Sequence, residues 1–350
     1  MTPYWLLFAL PALAALFRRR LVPGQQHLVW VFVAAITVLF IGLRFEVGGD
    51  WQAYLLHFET AAQGFDWALD FDDPGYYVAG WLFAKFGGSI YWLNLFCATL
   101  LVAGTFRLAN RQPRPWLALV AAVPYLLIVV GMGYTRQAAA IGLVMWGLVE
   151  LRDRRVLAFA VMVLLAALFH KTALLMLPIA ALAASRRRIW TAMWVAGMTV
   201  VGFFVLLEDD AGSLYANYID SDYAFASEGA AIRLAMNAVA ASIFLIFRRR
   251  LSQDLAERRL YGWMSLITLA SVPLLTISPT AVDRMALYLI PLQLVVFSRL
   301  PDLANRPRSK QLLLASTVGY YALVQFVWLN FATHAQYWLP FQFAPLVGAF

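Results

Sequence analysis

The sequence predicts an all-α polytopic membrane protein, and three observations carry that reading. Hydrophobic residues make up 63% of the 350 residues and charged residues 13%, where soluble globular domains run at about 45–50% and 25%. Mean hydropathy is +0.72. The basic residues stand in short clusters between long apolar runs, the arrangement of loops that anchor spans. A cytosolic enzyme is excluded by this composition. A disulfide-stapled secreted scaffold is excluded because Cys97 is the chain's one cysteine. The net charge of +8 would suit nucleic acid by number alone, but clustering at span ends removes that reading, and no nucleic-acid partner is expected.

The elements follow from span length, since about 20 apolar residues cross a bilayer core. Apolar stretches at 3–17, 27–43, 89–106, 115–133, 137–151 and 156–169 are the first set. Those at 172–184, 189–207, 232–247, 260–277, 285–298 and 311–331 are the second. The tail 337–350 is either another span or a dipping segment, which leaves the side of the C-terminus open. Segment 76–86 is too short to cross and is expected to lie in the interface or re-enter. Together these make about 12–14 transmembrane helices in a single integral membrane domain over residues 1–350. The first run ends in Arg18, Arg19 and Arg20, a stop for a span rather than a cleavage site.

Orientation follows from the excess of Lys and Arg in cytoplasmic loops. Alternate connections carry Arg18–Arg20; Arg107, Arg111 and Arg114; Arg152, Arg154 and Arg155; Arg186–Arg188; Arg248–Arg250 with Arg258 and Arg259; and Arg299, Arg306, Arg308 and Lys310. These hold 21 of the 27 basic residues against five of the 19 acids. The N-terminus is therefore expected outside. Anchoring explains every inward cluster. The six outward bases, Arg44, Lys85, Arg136, Lys171, Arg233 and Arg284, have no such explanation and become candidates.

Two outward loops are long, 44–76 and 208–233, and both are acidic and aromatic. Their Trp51, Trp67, Tyr215 and Tyr218 fit an interfacial aromatic belt or a sugar-binding surface, and composition leaves both open. In the first loop, Gly48 and Gly49 permit a tight turn that sets Asp50 beside the emergence of Arg44. Asp72-Asp73-Pro74-Gly75-Tyr76 reads as a turn opening the next apolar segment.

Segment 156–184 lies between two inward clusters and must cross an even number of times. About 30 residues make two arms of roughly 22 Å, short of a ~30 Å core. The vertex Phe169-His170-Lys171-Thr172 is thus expected below the outer surface, where ionisable groups need a polar recess. Arg136 stands in the same position, because only about 24 Å of helix separates it from Arg152. Arg284 opens another span beside Asp283, where an ion pair is the simpler explanation and a ligand the other.

Arg44, Arg136, His170, Lys171 and Arg284 are thereby expected at one leaflet. Several cations around a membrane-level cavity suit a diphosphate, with arginine supplying forked donors. Nearby carboxylates and a histidine suit deprotonation of a sugar hydroxyl. The sequence holds no Gly-rich phosphate loop, no HExxH and no Cys/His array, so metal-independent chemistry without a cofactor is expected.

The order Arg44…Gly49-Asp50-Trp51…Tyr54, Asp73-Pro74-Gly75-Tyr76, Arg136-Gln137, Phe169-His170-Lys171-Thr172-Ala173-Leu174 and Arg284…Tyr288 resembles the EpsG family. The ending Trp338-Leu339-Pro340-Phe341 is similar to that family's as well. Trp51 and Phe341 stand where the family pattern leads one to expect tyrosine. These are membrane components of bacterial exopolysaccharide pathways related to Wzy-type polymerases. The resemblance implies a GT-C-like helical arrangement in the bacterial inner membrane. It also implies an inverting glycosyltransferase that joins polyprenyl-diphosphate-linked oligosaccharide repeat units at the periplasmic leaflet. His170, Asp50 and Arg136 are the expected catalytic group, with His170 ahead of Asp50 as base. Arg44, Arg284, Lys171, Asp73, Trp51, Tyr54 and Tyr288 are expected to bind diphosphate and sugar. Membrane lipid, a chain-length regulator and export machinery are the further partners implied. A lipid-linked oligosaccharide flippase is the main rival. A ligase or acyltransferase acting on the same saccharide is the other.

Overall fold

The computed structural model describes residues 1–17, 23–69, 73–183 and 229–349, with isolated positions between 190 and 197. Arg18–Arg20, Asp72, Arg186–Arg188, most of segment 189–207 and all but the last residues of loop 208–233 lie outside the described residues.

Helices account for almost all of the described chain. In order they are α1 (Thr2–Leu16), α2 (Pro23–Gly42), α3 (Trp51–Ala61), α4 (Phe65–Leu69) and α5 (Pro74–Lys85). Then come α6 (Ile90–Asn110), α7 (Pro115–Gly133), α8 (Thr135–Arg152) and α9 (Val156–Ala167). A 3₁₀ segment (Lys171–Met176) leads into α10 (Leu177–Ala183). The second half holds α11 (Ala230–Leu251), α12 (Leu255–Ala270), α13 (Pro279–Leu287), α14 (Pro291–Arg299) and α15 (Pro307–Phe331). Among the described residues five helices, α2, α6, α7, α11 and α15, are long and apolar enough to cross a membrane. A sixth crossing arises if α13 and α14, bent by 55° at Tyr288–Ile290, make one broken span. The chain is an all-α polytopic membrane protein.

Helices α7 and α8 form the centre. The apolar window of α7 is 94% buried, against 17% for α2 and 22% for α15, which lie at the periphery. Helix α8 packs on α6 with the backbones in direct approach. A Cβ on Gly104 would stand 1.8 Å from the Gly142 carbonyl oxygen, and one on Gly142 would stand 2.2 Å from the Leu100 carbonyl oxygen. Small residues let membrane helices meet this closely, which replaces the hydrophobic driving force that lipid removes. That contact fixes the rotation of α8 and with it the direction of Arg136 and Gln137 at its first turn. Pro124 interrupts α7, and Val123–Val130 runs as a π-helix, a form that recurs near functional sites.

The charged clusters divide between two ends. At one, Arg107 and Arg155 both bind Glu150, Arg111 binds Asp153, and Arg114 holds Asp302 through two bonds of 2.7 and 2.8 Å. Arg299, 5% exposed, takes Glu257 through both oxygens and Gln112 and the Leu251 carbonyl besides. Arg152 joins the same Glu257 at 3.1 Å. Four arginine-bearing connections thus close onto one another.

The tail does not add a spanning helix. After α15 it turns back over the other end as short 3₁₀ turns, Ala335–Trp338 and Ala344–Leu346. It pairs with the chain after α2, where Phe45 N–H donates to Gln342 and Ala344 N–H to Leu43 at 3.0 and 2.8 Å. Segment 76–86 is the greater part of α5, a 12-residue helix too short to cross.

Candidate active site

The end opposite the closed arginine clusters gathers the residues singled out in the sequence. Arg44 is its scaffold. Only 1% exposed, its guanidinium donates to the carbonyls of Ile41 (2.8 Å) and Val47 (3.1 Å) and to the Thr135 hydroxyl (2.7 Å). A buried guanidinium must have its donors satisfied, and here that requirement ties the 44–50 turn to the first residue of α8. Trp51 is buried under the same group, with Arg44 Cζ 5.8 Å from its ring centroid. Gly48 has φ +109 and a Cβ there would meet the Met132 carbonyl at 2.5 Å, so glycine is required for the turn to seat.

Arg136, the second residue of α8, donates from Nη1 to Asp73 Oδ2 at 2.8 Å. The other oxygen of Asp73 accepts the Lys171 backbone N–H at 3.4 Å. Asp73 is 4% exposed and precedes α5, whose Gly75 N–H donates to the Leu168 carbonyl at 2.8 Å. A Cβ on Gly75 would stand 2.8 Å from Leu168 Cβ. The Asp-Pro-Gly signal therefore marks more than a turn: its glycine lets α5 dock on the His170–Lys171 vertex.

On the other side of Arg136, Gln137 clasps Arg284. Its amide nitrogen donates to the Arg284 carbonyl (2.9 Å) and its amide oxygen accepts from Arg284 Nη1 (3.2 Å). Arg284 also lies over the Tyr134 ring, 5.0 Å from its centroid. Tyr288, fully buried at the α13–α14 break, accepts a hydrogen bond from Thr172 Oγ1 at 3.4 Å, and that hydroxyl is 3.4 Å from His170 Nδ1. Arg233 forms an ion pair with Asp283 one residue before Arg284. Tyr54 is buried, and its ring packs 5.9 Å from that of Tyr76.

The two candidate bases differ. His170 occupies the turn between α9 and the 3₁₀ segment. Burial, and then Arg284, Arg136 and Lys171 around it, hold its imidazole well below the ordinary histidine value, so it is neutral near pH 7. Asp50 precedes α3 and reaches solvent. Protein around it raises its carboxyl above the ordinary 3.8, and Arg284, Arg136 and His334 act against that rise. Among the described residues no group of three His, Cys, Asp or Glu is close enough to hold a metal ion.

The EpsG family model matches residues 27–343, nearly the whole chain. The chain belongs to the EpsG family. It is therefore an exopolysaccharide-biosynthesis membrane protein of polymerase type. No curated protein and no solved structure matches it.

This EpsG-family chain brings Arg136, Asp73, His170, Lys171, Arg284 and Tyr288 together, with Asp50 and Tyr54 beside them. Arg44 and Trp51 sit behind, in the wall. Sequence reading missed Gln137 as the clasp on Arg284, although its place next to Arg136 was in view. It also missed the pairing of Arg233 with Asp283, His57 beside Tyr54 and Tyr77, and the tail residues His334 and Tyr337. Helical spacing places His57 three residues beyond Tyr54 on one face. No local signal brings the tail to Asp50.

Proposed function

We propose that this protein polymerises polyprenyl-diphosphate-linked oligosaccharide repeat units at the outer leaflet of the bacterial inner membrane. The observation that carries the reading is the convergence of Arg136, Lys171 and Arg284 from three separate segments around His170, at the end away from the arginine clusters. The positive-inside rule makes that end periplasmic.

The acceptor hydroxyl loses its proton to a base and its oxygen attacks the anomeric carbon of the donor. The bond from that carbon to the diphosphate oxygen breaks, and the configuration inverts. Arg136, Arg284 and Lys171 stabilise the charge that grows on the leaving diphosphate. Asp73 orients Arg136 and the vertex together. Asp50 is the base: it reaches solvent, where the acceptor arrives, and its raised pKa improves it as a proton acceptor. His170, neutral and enclosed, positions the donor through Thr172 and Tyr288. Arg44 supports the site by holding the turn that carries Asp50.

One observation favours the flippase, namely the broken pair α13–α14, since broken helices form the substrate sites of many transporters. Against it stands the Arg299–Glu257–Gln112–Arg152 cluster, which closes the opposite end. The test is a strain lacking the gene, complemented with wild type or Arg136→Ala, with sizing of lipid-linked and exported saccharide. Single repeat units accumulating on the outer leaflet, without long polymer, support the polymerase. Units trapped on the inner leaflet make the protein a transporter and remove the catalytic roles.

A further inference from the structure

The returning tail carries two exposed rings to the mouth of the site. His334 and Tyr337 stack with centroids 6.1 Å apart and planes 23° from parallel, and Tyr337 is 47% exposed. The Tyr337 carbonyl accepts the Gly48 N–H at 2.9 Å. Its ring would lie 3.7 Å from a Cβ on Gly49, the residue before Asp50. The stack is therefore held against the turn that presents Asp50.

Its base is anchored. Trp338, 4% exposed, donates its indole N–H to the Ile128 carbonyl at 3.2 Å, within the π-helical part of α7. It fills the space over Gly133, where a Cβ would stand 2.6 Å from its ring. The Trp338 carbonyl accepts the Tyr4 hydroxyl at 2.7 Å, and Gln325 holds the Tyr4 carbonyl at 3.1 Å. One buried tryptophan thus fixes the tail to α1, α7 and α15 while its neighbours stay in water. An exposed aromatic stack adds little to folding, because its faces remain wet. A flat apolar face next to a carboxylate is what a sugar ring requires: its C–H face covers the aromatic ring while a hydroxyl reaches the acid.

We propose that Tyr337 and His334, with Asp50, form the subsite for the acceptor sugar, taking a pyranose ring at the non-reducing end of a repeat unit. The proposal rests on the polymerase reading and extends it. The ring platform lies against Gly49, next to Asp50, so the acceptor sugar would meet the base directly. The tail is then a component of the site.

The test uses the full-length protein in detergent and two probes from the gene-deleted strain. These are the lipid-linked repeat unit and the free oligosaccharide released from it by mild acid. Binding of the free oligosaccharide is followed by saturation-transfer NMR, and polymer growth by sizing. Tyr337→Ala should weaken oligosaccharide binding about tenfold with an unchanged melting temperature, and Tyr337→Trp should restore it. Arg136→Ala should abolish polymer growth and leave oligosaccharide binding intact. Wild-type binding by Tyr337→Ala, with growth still lost in Arg136→Ala, overturns the subsite and leaves the polymerase standing. Loss of binding in both Tyr337→Ala and Tyr337→Trp, with lowered melting temperatures, makes the tail purely structural and also overturns it. Polymer growth unaffected by Arg136→Ala removes the underlying reading instead.

Discussion

The two ends of this bundle use the same side chains for opposite purposes. At the arginine-rich end, Glu150 takes Arg107 and Arg155 while Glu257 takes Arg299 and Arg152. Each buried carboxylate is closed by two guanidinium groups, and Gln112 and the Leu251 carbonyl use the remaining donors of Arg299. At the other end Asp73 pairs with Arg136 and Asp283 with Arg233, while neutral groups orient the remaining arginines: Gln137 and Tyr134 on Arg284, Thr135 on Arg44. Saturated charge locks helices together. Neutral partners hold Arg284 in place without cancelling its charge. The difference lies in the partners, since arginine is the main cation at both ends.

The closed end should give the largest effect. Glu257→Gln leaves Arg299 and Arg152 facing a neutral amide in a buried setting, and should cost about 3–5 kcal/mol of stability, read as loss of folded protein in thermal unfolding. If Glu257→Gln melts like wild type, the view of that end as a lock fails. At the open end, Arg136→Ala should reduce polymer growth about 10²–10³-fold and, because it leaves the buried Asp73 without its guanidinium, also lower the melting temperature, by less than Glu257→Gln. Arg136→Lys should recover little of it, because lysine cannot present the fork.

Gly142→Ala tests the contact that joins the two ends. Its methyl would enter the space of the Leu100 carbonyl and should cost about 1–3 kcal/mol by overpacking, checked by unfolding in detergent.

The smallest effect is a pH shift. Asp50 titrates above 3.8, so growth should fall as pH drops through that raised value. The acid limb should vanish in Asp50→Asn at a low residual rate and persist in His170→Asn. An unchanged limb in Asp50→Asn would reassign the base. The same sign makes ionised Asp50 a cost to the folded state, so Asp50→Asn should melt at or slightly above wild type near pH 7.

Much of this was legible in the chain. Apolar length located the long helices but overcounted the spans: about 12–14 were expected, while five helices among the described residues, or six with the bent pair, are long enough to cross and the stretches at 3–17, 156–169 and 172–184 form shorter helices. The sorting of charge followed from where arginines cluster: Arg107, Arg111, Arg114, Arg152 and Arg299 do meet at one end. The short arm was legible, and α9 is only 12 residues; Lys171 after it is buried and His170 half-buried. Arg44 was legible as an outward base, but its occupation by Ile41, Val47 and Thr135 was not, because a guanidinium's partners depend on helices that meet in space.

Sequence by itself thus determined class, the longest spans and which charges lack a topological reason to exist, since hydropathy and charge placement act locally on each segment crossing a bilayer. Tertiary structure alone decided which of those charges gather at the candidate site and which, like Arg44, are consumed in the wall. It also carried His334 and Tyr337 back to Asp50, nearly three hundred positions away along the chain. Those outcomes rest on close approach of neighbouring backbone at Gly75, Gly104 and Gly142 and of the Trp338 ring at Gly133, and a glycine does not encode which neighbour will come to meet it.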